Sequence, residues 1–194
     1  MPHRVTELHC ILPIGNIRSI MQHGILSYER AATLPHASVA MQAIQERRDQ
    51  VQVPGGLSLH QYANLYFHAR NPMMFLRKEQ AEQLCVLRVS AEVLRLAHVV
   101  LADQNASSNY VRFLSPQQLA MLHLDRVYAR DWRSDDQITY FRQKAAKCAE
   151  VLVPHCVPAA LIIGAYVVSA TASAALQATG FNCPVTINPD LFFH

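Results

Sequence analysis

From Val151 to Ala178 the chain contains no Asp, Glu, Lys or Arg, while Glu150 stands directly before this stretch and no further acid follows until Asp190. A segment this apolar has to be buried. Pro154, His155, Pro158 and Gly164 interrupt it too often for an apolar membrane span of about 20 residues, so it predicts a buried series of strand, helix, strand and helix. The rest of the protein must be built around that series. With 194 residues, 51% of them apolar and 16% charged, the chain can bury one full core, which predicts a single domain over residues 1–194. The cysteines, Cys10, Cys85, Cys148, Cys156 and Cys183, include no Cys-x-x-Cys pair. Reduced, buried thiols in a cytoplasmic protein are expected. The opening Met1 to Glu7 lacks the apolar core of a secretory signal, so no export is expected either.

Local patterns fill in the remainder. Leu8 to Leu12 predicts a strand, and Asn16 to His23 has apolar residues at helical spacing before Gly24, where a helix end favours positive φ. Ser38 is a candidate cap for a helix from Val39 to Gln50, with Val39, Ile44 and Val51 on one face. Pro54-Gly55-Gly56 then breaks the chain. Ala63 to Phe67, Leu84 to Ser90 and His98 to Ala102 predict strands, the latter two rich in β-branched residues. Asp103 to Asn109 is a polar loop. Ser115-Pro116 opens a further helix. Asp135 or Asp136 caps another, Gln137 to Lys147, which leads into a strand from Ala149 to Val153. Strands at Gly164 to Ser169 and Pro184 to Ile187, with a helix from Thr171 to Ala178 between them, complete an α+β chain.

Common catalytic signatures are missing: there is no Gly-x-Ser-x-Gly elbow, no phosphate-cradling glycine loop and no metal-ligand spacing on a helix. His155 and Cys156 near Cys148 read as buried packing rather than a zinc site. Taken singly, Glu150 reads as a solvated strand end, His9 as a core histidine, Arg47 and Arg48 as a solvated helix end, and Tyr66 and Phe67 as core. The net charge of +3 permits a nucleic-acid partner without requiring one.

In order, however, these segments form a pattern. Leu8-His9-Cys10-Ile11, Asn16-Ile17-x-x-Ile20 and His23-Gly24-Ile25-Leu26-Ser27 resemble the opening of the DarT family of DNA ADP-ribosyltransferase toxins. Ile44-x-x-Arg47-Arg48 and Leu59-His60-x-Tyr62-Ala63-Asn64-Leu65-Tyr66-Phe67-x-x-Arg70-Asn71-Pro72-Met73 are similar to the family's central signature. Gln143-Lys144-x-x-Lys147-Cys148-Ala149-Glu150-Val151-Leu152-Val153 resembles its catalytic strand. The match runs from about Leu8 to Val168, and Asn188 to Phe193 fits the family's usual ending.

The resemblance implies an ADP-ribosyltransferase fold: a split, twisted β core with surrounding helices and NAD bound in the cleft between its halves. It implies that NAD is a substrate, that no metal is needed, and that single-stranded DNA is the acceptor. It also implies a cognate antitoxin of macrodomain or NADAR type that removes ADP-ribose, and no membrane partner. Glu150 matches the catalytic glutamate, and Arg47 or Arg48 the active-site arginine; spacing does not choose between the two. His9, Asn16, Tyr66, Gly24 and Leu26 match NAD-binding positions. Tyr62, Arg70, Asn105 and Tyr110 are candidates for contact with the nucleic acid.

The chemistry requires such groups. Cleaving the bond between nicotinamide and ribose builds positive charge on the sugar, so a carboxylate beside it stabilises the transition state more than the ground state. An arginine could neutralise the NAD diphosphate or polarise the acceptor base. One departure concerns base choice. Many DarT proteins carry a histidine where this chain has Asn105, and an amide can hydrogen-bond a base edge but cannot serve as a general acid or base at neutral pH. The Asn105 form resembles the guanine-modifying branch of the family more than the thymine-modifying one, and that resemblance leans toward guanine. The same transfer onto RNA and an idle nucleic-acid-binding module on this fold are the alternatives.

Overall fold

The computed structural model describes residues 5–38 and 41–194. Its strands are β1 (Glu7–Pro13), β2 (Ile25–Leu26), β3 (Tyr62–Tyr66), β4 (Leu84–Ser90), β5 (Val100–Ala102), β6 (Phe113–Leu114), β7 (Glu150–Pro154), β8 (Cys156–Val157), β9 (Ile162–Val167) and β10 (Val185–Ile187). Its α-helices are α1 (Ile17–His23), α2 (Tyr28–Ala31), α3 (Gln42–Asp49), α4 (Pro72–Leu76), α5 (Leu124–Val127), α6 (Gln137–Ala146) and α7 (Ala170–Ala178). The class is α+β.

One mixed sheet of eight strands runs β10-β9-β4-β1-β3-β7-β5-β6. Pairing is antiparallel throughout except between β9 and β10. The strands of the interior are apolar on both faces: five of the seven residues of β4 and four of the five of β7 are buried, so neither shows clean alternation. At the centre the sheet is split. β1 pairs with β4 over its whole length, from Glu7↔Ser90 to Pro13↔Leu84, but meets β3 at a single rung, His9↔Tyr66. A small second sheet pairs β2 with β8, and both of its strands lie against β3.

The charge-free stretch forms β7, β8, β9 and α7, the last capped by Ser169, whose Oγ accepts from the Ala172 N–H at 3.1 Å. The helix expected between its first two strands is only a 3-10 turn, Ala159–Leu161, because Pro158 and the four-residue spacing leave no room for more. Likewise the helix expected after Ser115 is a 3-10 segment, Pro116–Met121, with Ser115 and Gln118 forming a reciprocal cap. No helix is long and apolar enough to cross a membrane among the described residues.

Two other details differ from expectation. The helix predicted from Val39 starts at Gln42, with Met41 rather than Ser38 at its cap, and Val39 itself lies outside the described residues. Short elements with too few residues to show periodicity, β2, α2 and α4, were not expected; α4 forms because the Asn71 Oδ1 accepts from the Met74 N–H at 3.0 Å and Pro72 presets the first turn.

Candidate active site

Tyr66, Glu150 and Ala102 share one rung across β3, β7 and β5, next to the place where the sheet parts. Glu150 is fully buried. The Arg48 guanidinium donates through Nη1 to both carboxylate oxygens, at 3.0 and 3.3 Å, and the Ala106 backbone N–H donates to Oε1 at 3.3 Å. The loop after β5 thus folds back onto the acid. Of the two arginines left open by spacing, Arg48 is buried and Arg47 exposed. Arg48 follows Ile44 by one turn of α3, so the two share the helix face turned toward the sheet, while Arg47 points about 100° away.

A cleft of about 350 Å³ opens over this pair. Asn64 and Tyr66 from β3, Cys10 and Leu12 from β1, Ile44, Gln45 and Arg48 from α3, and Asn105 from the loop after β5 face it. Met73 and Leu76 of α4 line it as well, as does Arg77. Arg48 and Arg77 are its cationic side chains among the described residues, and the Gln45 Oε1 is buried there with no protein donor. A side cavity of about 150 Å³, lined by Gly24, Ile25 and Leu26, shares Cys10, Leu12, Asn16 and His36 with the cleft. Burial pushes the Cys10 and Cys148 thiols up to about 12, which keeps them protonated and poor nucleophiles. Burial, reinforced by the Glu150 charge, also raises Tyr66, so its phenol stays a donor.

Asn16, Gly24, Leu26 and Tyr66 therefore line this space. Asn16 has a second duty: its Nδ2 donates to the Ala37 carbonyl at 2.7 Å and its Oδ1 accepts from the Ala37 N–H at 3.1 Å, which pins one wall of the cleft. Gly24 is also required by the backbone, having φ +82° and lying where a Cβ would meet the Val157 carbonyl and the Cys156 Sγ.

Three expected positions lie elsewhere. Although His9 and Tyr66 are Cα partners, the His9 ring leaves the cleft for a separate polar cavity lined by Glu7, His68, Tyr128, Tyr166 and Asn188. There its Nδ1 accepts from the Ala69 N–H at 3.0 Å, and Nε2 donates to Glu7 at 3.0 Å. Burial alone would raise the Glu7 carboxyl, but bonds from His9, Arg88 and Tyr166 hold it down at about 2. Tyr62 is core: it is buried among Val53, Leu59 and Leu152, and its hydroxyl accepts from the Leu57 N–H at 3.1 Å. Arg70 is a fastener of the C-terminal turn, its guanidinium 4.0 Å over the Phe193 ring, with Nε donating to the Arg130 carbonyl at 3.0 Å and Nη1 to the Asp190 carbonyl. Tyr110, by contrast, is 86% exposed at the tip of the loop after β5.

Several groups of the site were not foreseen: the lining residues Asn64, Gln45, His36 and Arg77, and the Ala106 N–H that holds Glu150. Asn64 could have been found, because at two-residue spacing it shares a face of β3 with Tyr62 and Tyr66. The Ala106 N–H carries no sequence signal.

The sheet thus parts around a cleft that Arg48 lines, with its buried partner Glu150 beneath it. The Thermosipho africanus DarTG solved in complex with ADP-ribose superposes with a TM-score of 0.86 at 27% identity, covering 97% of this chain and 51% of that one. The Thermus sp. 2.9 DarT solved in complex with ADP-ribosylated single-stranded DNA gives a TM-score of 0.82 at 26% identity, covering 97% and 96%. The same Thermus protein solved with NAD+ shares the fold at 23% identity and a TM-score of 0.78, covering 99% and 100%. In sequence, the DNA ADP-ribosyl transferase of Thermus sp. (strain 2.9) is 31% identical over 170 residues, covering 81% of this chain and 78% of that protein. The profile of the family described as "ssDNA thymidine ADP-ribosyltransferase, DarT" matches residues 9–193.

The chain belongs to the DarT family. It spans about half the length of the Thermosipho protein, a fusion of DNA ADP-ribosyl transferase with DNA ADP-ribosyl glycohydrolase, of which it covers 50%.

Proposed function

We propose that this chain, as one domain, takes NAD+ as substrate and transfers ADP-ribose to a base of single-stranded DNA. The observation that carries this is the buried Glu150–Arg48 pair beneath an open cleft, in a chain that shares its fold with relatives solved with ADP-ribose and with ADP-ribosylated single-stranded DNA. Glu150 acts on the charge that develops at the ribose as nicotinamide leaves. Arg48 aligns that carboxylate, and Tyr66 packs beside it near the nicotinamide. Arg77 and the Asn16-pinned wall flank the rest of the dinucleotide.

The acceptor is proposed to be thymine, the base in the family's description, in place of the guanine to which Asn105 alone leans. Modifying DNA bases blocks their pairing, so the chain acts as a toxin, in the cytoplasm, where its free cysteines stay reduced. A cognate glycohydrolase would reverse the mark, as the fusion partner in the Thermosipho relative suggests. The test is incubation with NAD+ and matched DNA and RNA oligonucleotides, single-stranded and duplex, followed by mass analysis of the modified nucleotide. The reading predicts one added ADP-ribose on a thymine of the single-stranded DNA. Duplex DNA should react roughly a hundredfold less, because extruding a paired base costs a few kcal/mol. Modification of RNA alone, of a phosphate end, or of guanine would correct the acceptor; no transfer to any nucleic acid would reject the reading.

A further inference from the structure

The loop after β5 touches both parts of the candidate chemistry within three residues. Ala106 donates its N–H to Glu150, and Asn105, immediately before it, lines the cleft. What Asn105 presents to the cleft is decided by Ser107. The Asn105 Oδ1 accepts from the Ser107 backbone N–H at 2.9 Å and from the Ser107 hydroxyl at 2.7 Å. Both groups donate, and the hydroxyl makes the shorter of the two bonds, so together they hold the amide oxygen toward Ser107, and without the hydroxyl a single backbone bond is left to resist a flip. The Asn105 NH2 has no protein acceptor among the described residues, and Ser107 is itself buried, which keeps water from competing for the lock.

We propose that Ser107 is a positioning residue that holds Asn105 as a donor-only reader, selecting a nucleobase that offers a carbonyl oxygen to the cleft over one that offers an amino group. This rests on the transfer to a DNA base proposed above. An unlocked asparagine offers a donor and an acceptor and can flip to suit either edge. A locked one cannot. Thymine presents carbonyl oxygens beside its ring N–H, and guanine presents O6 beside its own, whereas cytosine and adenine present N4 and N6 amino groups at the corresponding edge. An amino group set against the Asn105 NH2 leaves two donors facing each other without an acceptor, a buried mismatch that costs affinity and rate. The loop thereby couples recognition to chemistry: the residue that reads the base and the N–H that steadies the catalytic carboxylate are adjacent in the chain.

The test uses the full chain, NAD+ and single-stranded oligonucleotides identical except for thymine, guanine, cytosine or adenine at one position, with initial rates read by mass spectrometry. Wild type should favour a carbonyl-bearing base. Ser107→Ala should lower the ratio of carbonyl-bearing to amino-bearing base modified by about tenfold, roughly the loss of one hydrogen bond, while Ser107→Thr, which keeps the hydroxyl, retains the wild-type ratio. Replacing the carbonyl oxygen of the preferred base by sulfur should slow wild type about tenfold and leave Asn105→Ala indifferent to the exchange. Thermal melting of each variant separates a loss of fold from a loss of selectivity. An unchanged base ratio in a folded Ser107→Ala, or equal sensitivity to sulfur in wild type and Asn105→Ala, overturns the inference alone. Absence of transfer to any base by wild type overturns the proposed function instead.

Discussion

Replacing Arg48 by Met tests the pair on which the site is built. Glu150 is fully buried, and its carboxylate is held by Arg48 at 3.0 and 3.3 Å and by one N–H, from Ala106, at 3.3 Å. Removing the guanidinium leaves a charge in the interior with a single long hydrogen bond. Breaking a buried pair in this way costs about 3–5 kcal/mol. In a chain of this size each kcal/mol lowers the melting temperature by about 2–4 °C, so a fall of roughly 6 °C or more is expected. Glu150→Gln removes the charge and leaves Arg48 unpaired, so it also destabilises. The double variant Arg48→Met/Glu150→Gln, with no buried charge left, should be more stable than the sum of the two losses implies, by roughly 1–3 kcal/mol. Urea denaturation followed by the fluorescence of Trp132, the single tryptophan and a buried one, provides the measurement. Arg47→Ala is the control, with an effect within about 0.5 kcal/mol. Melting of Arg48→Met within about 1 °C of wild type, where the pair's 3–5 kcal/mol requires several degrees, together with strict additivity in the double variant, would refute the view that these side chains form a buried pair.

In the transfer assay Glu150→Gln should slow modification by about 100-fold or more, since the carboxylate acts on charge absent from the ground state; activity near wild type means another group carries that role. Glu7 has its carboxyl lowered from 4.5 to about 2, so its contribution to stability is complete above pH 4.5 and is lost as pH falls toward 2. Glu7→Gln should flatten the fall in urea midpoint over that window, and an unchanged slope would count against the Glu7–His9–Arg88–Tyr166 network. Tyr62→Phe leaves the Leu57 N–H without its acceptor and should cost about 1–3 kcal/mol, with base preference unaltered; a changed preference would return Tyr62 to the DNA surface.

How far the sequence reveals this molecule depends on how many residues share each signal. β4 was legible end to end, since Leu84 to Ser90 is an unbroken β-prone run between polar flanks. Glu150 was legible as a lone acid heading an apolar strand. The choice between Arg47 and Arg48 did have a clue, because Ile44, the large apolar residue inside α3, marks the buried side and Arg48 follows it by one turn. His9 had none. Every residue from Leu8 to Leu12 is compatible with burial, so alternation could not say which side chains reach the cleft, and the parting of the sheet at His9↔Tyr66 sends ladder partners to different cavities. Tyr62 and Arg70 failed for another reason: aromatic and cationic side chains suit a DNA surface and a fold's interior equally well, and only tertiary contacts decide.

Asn16 gives the cleft a thermodynamic character of its own. By bonding both the N–H and the C=O of Ala37, its side chain imitates a strand rung across twenty-one residues of chain. One wall is therefore set before any ligand arrives, and the ordering entropy belongs to folding instead of to association. Asn16→Ala would transfer that term to the ligand. Calorimetry should then record a more unfavourable binding entropy, while a ligand already bound would find the same wall around it.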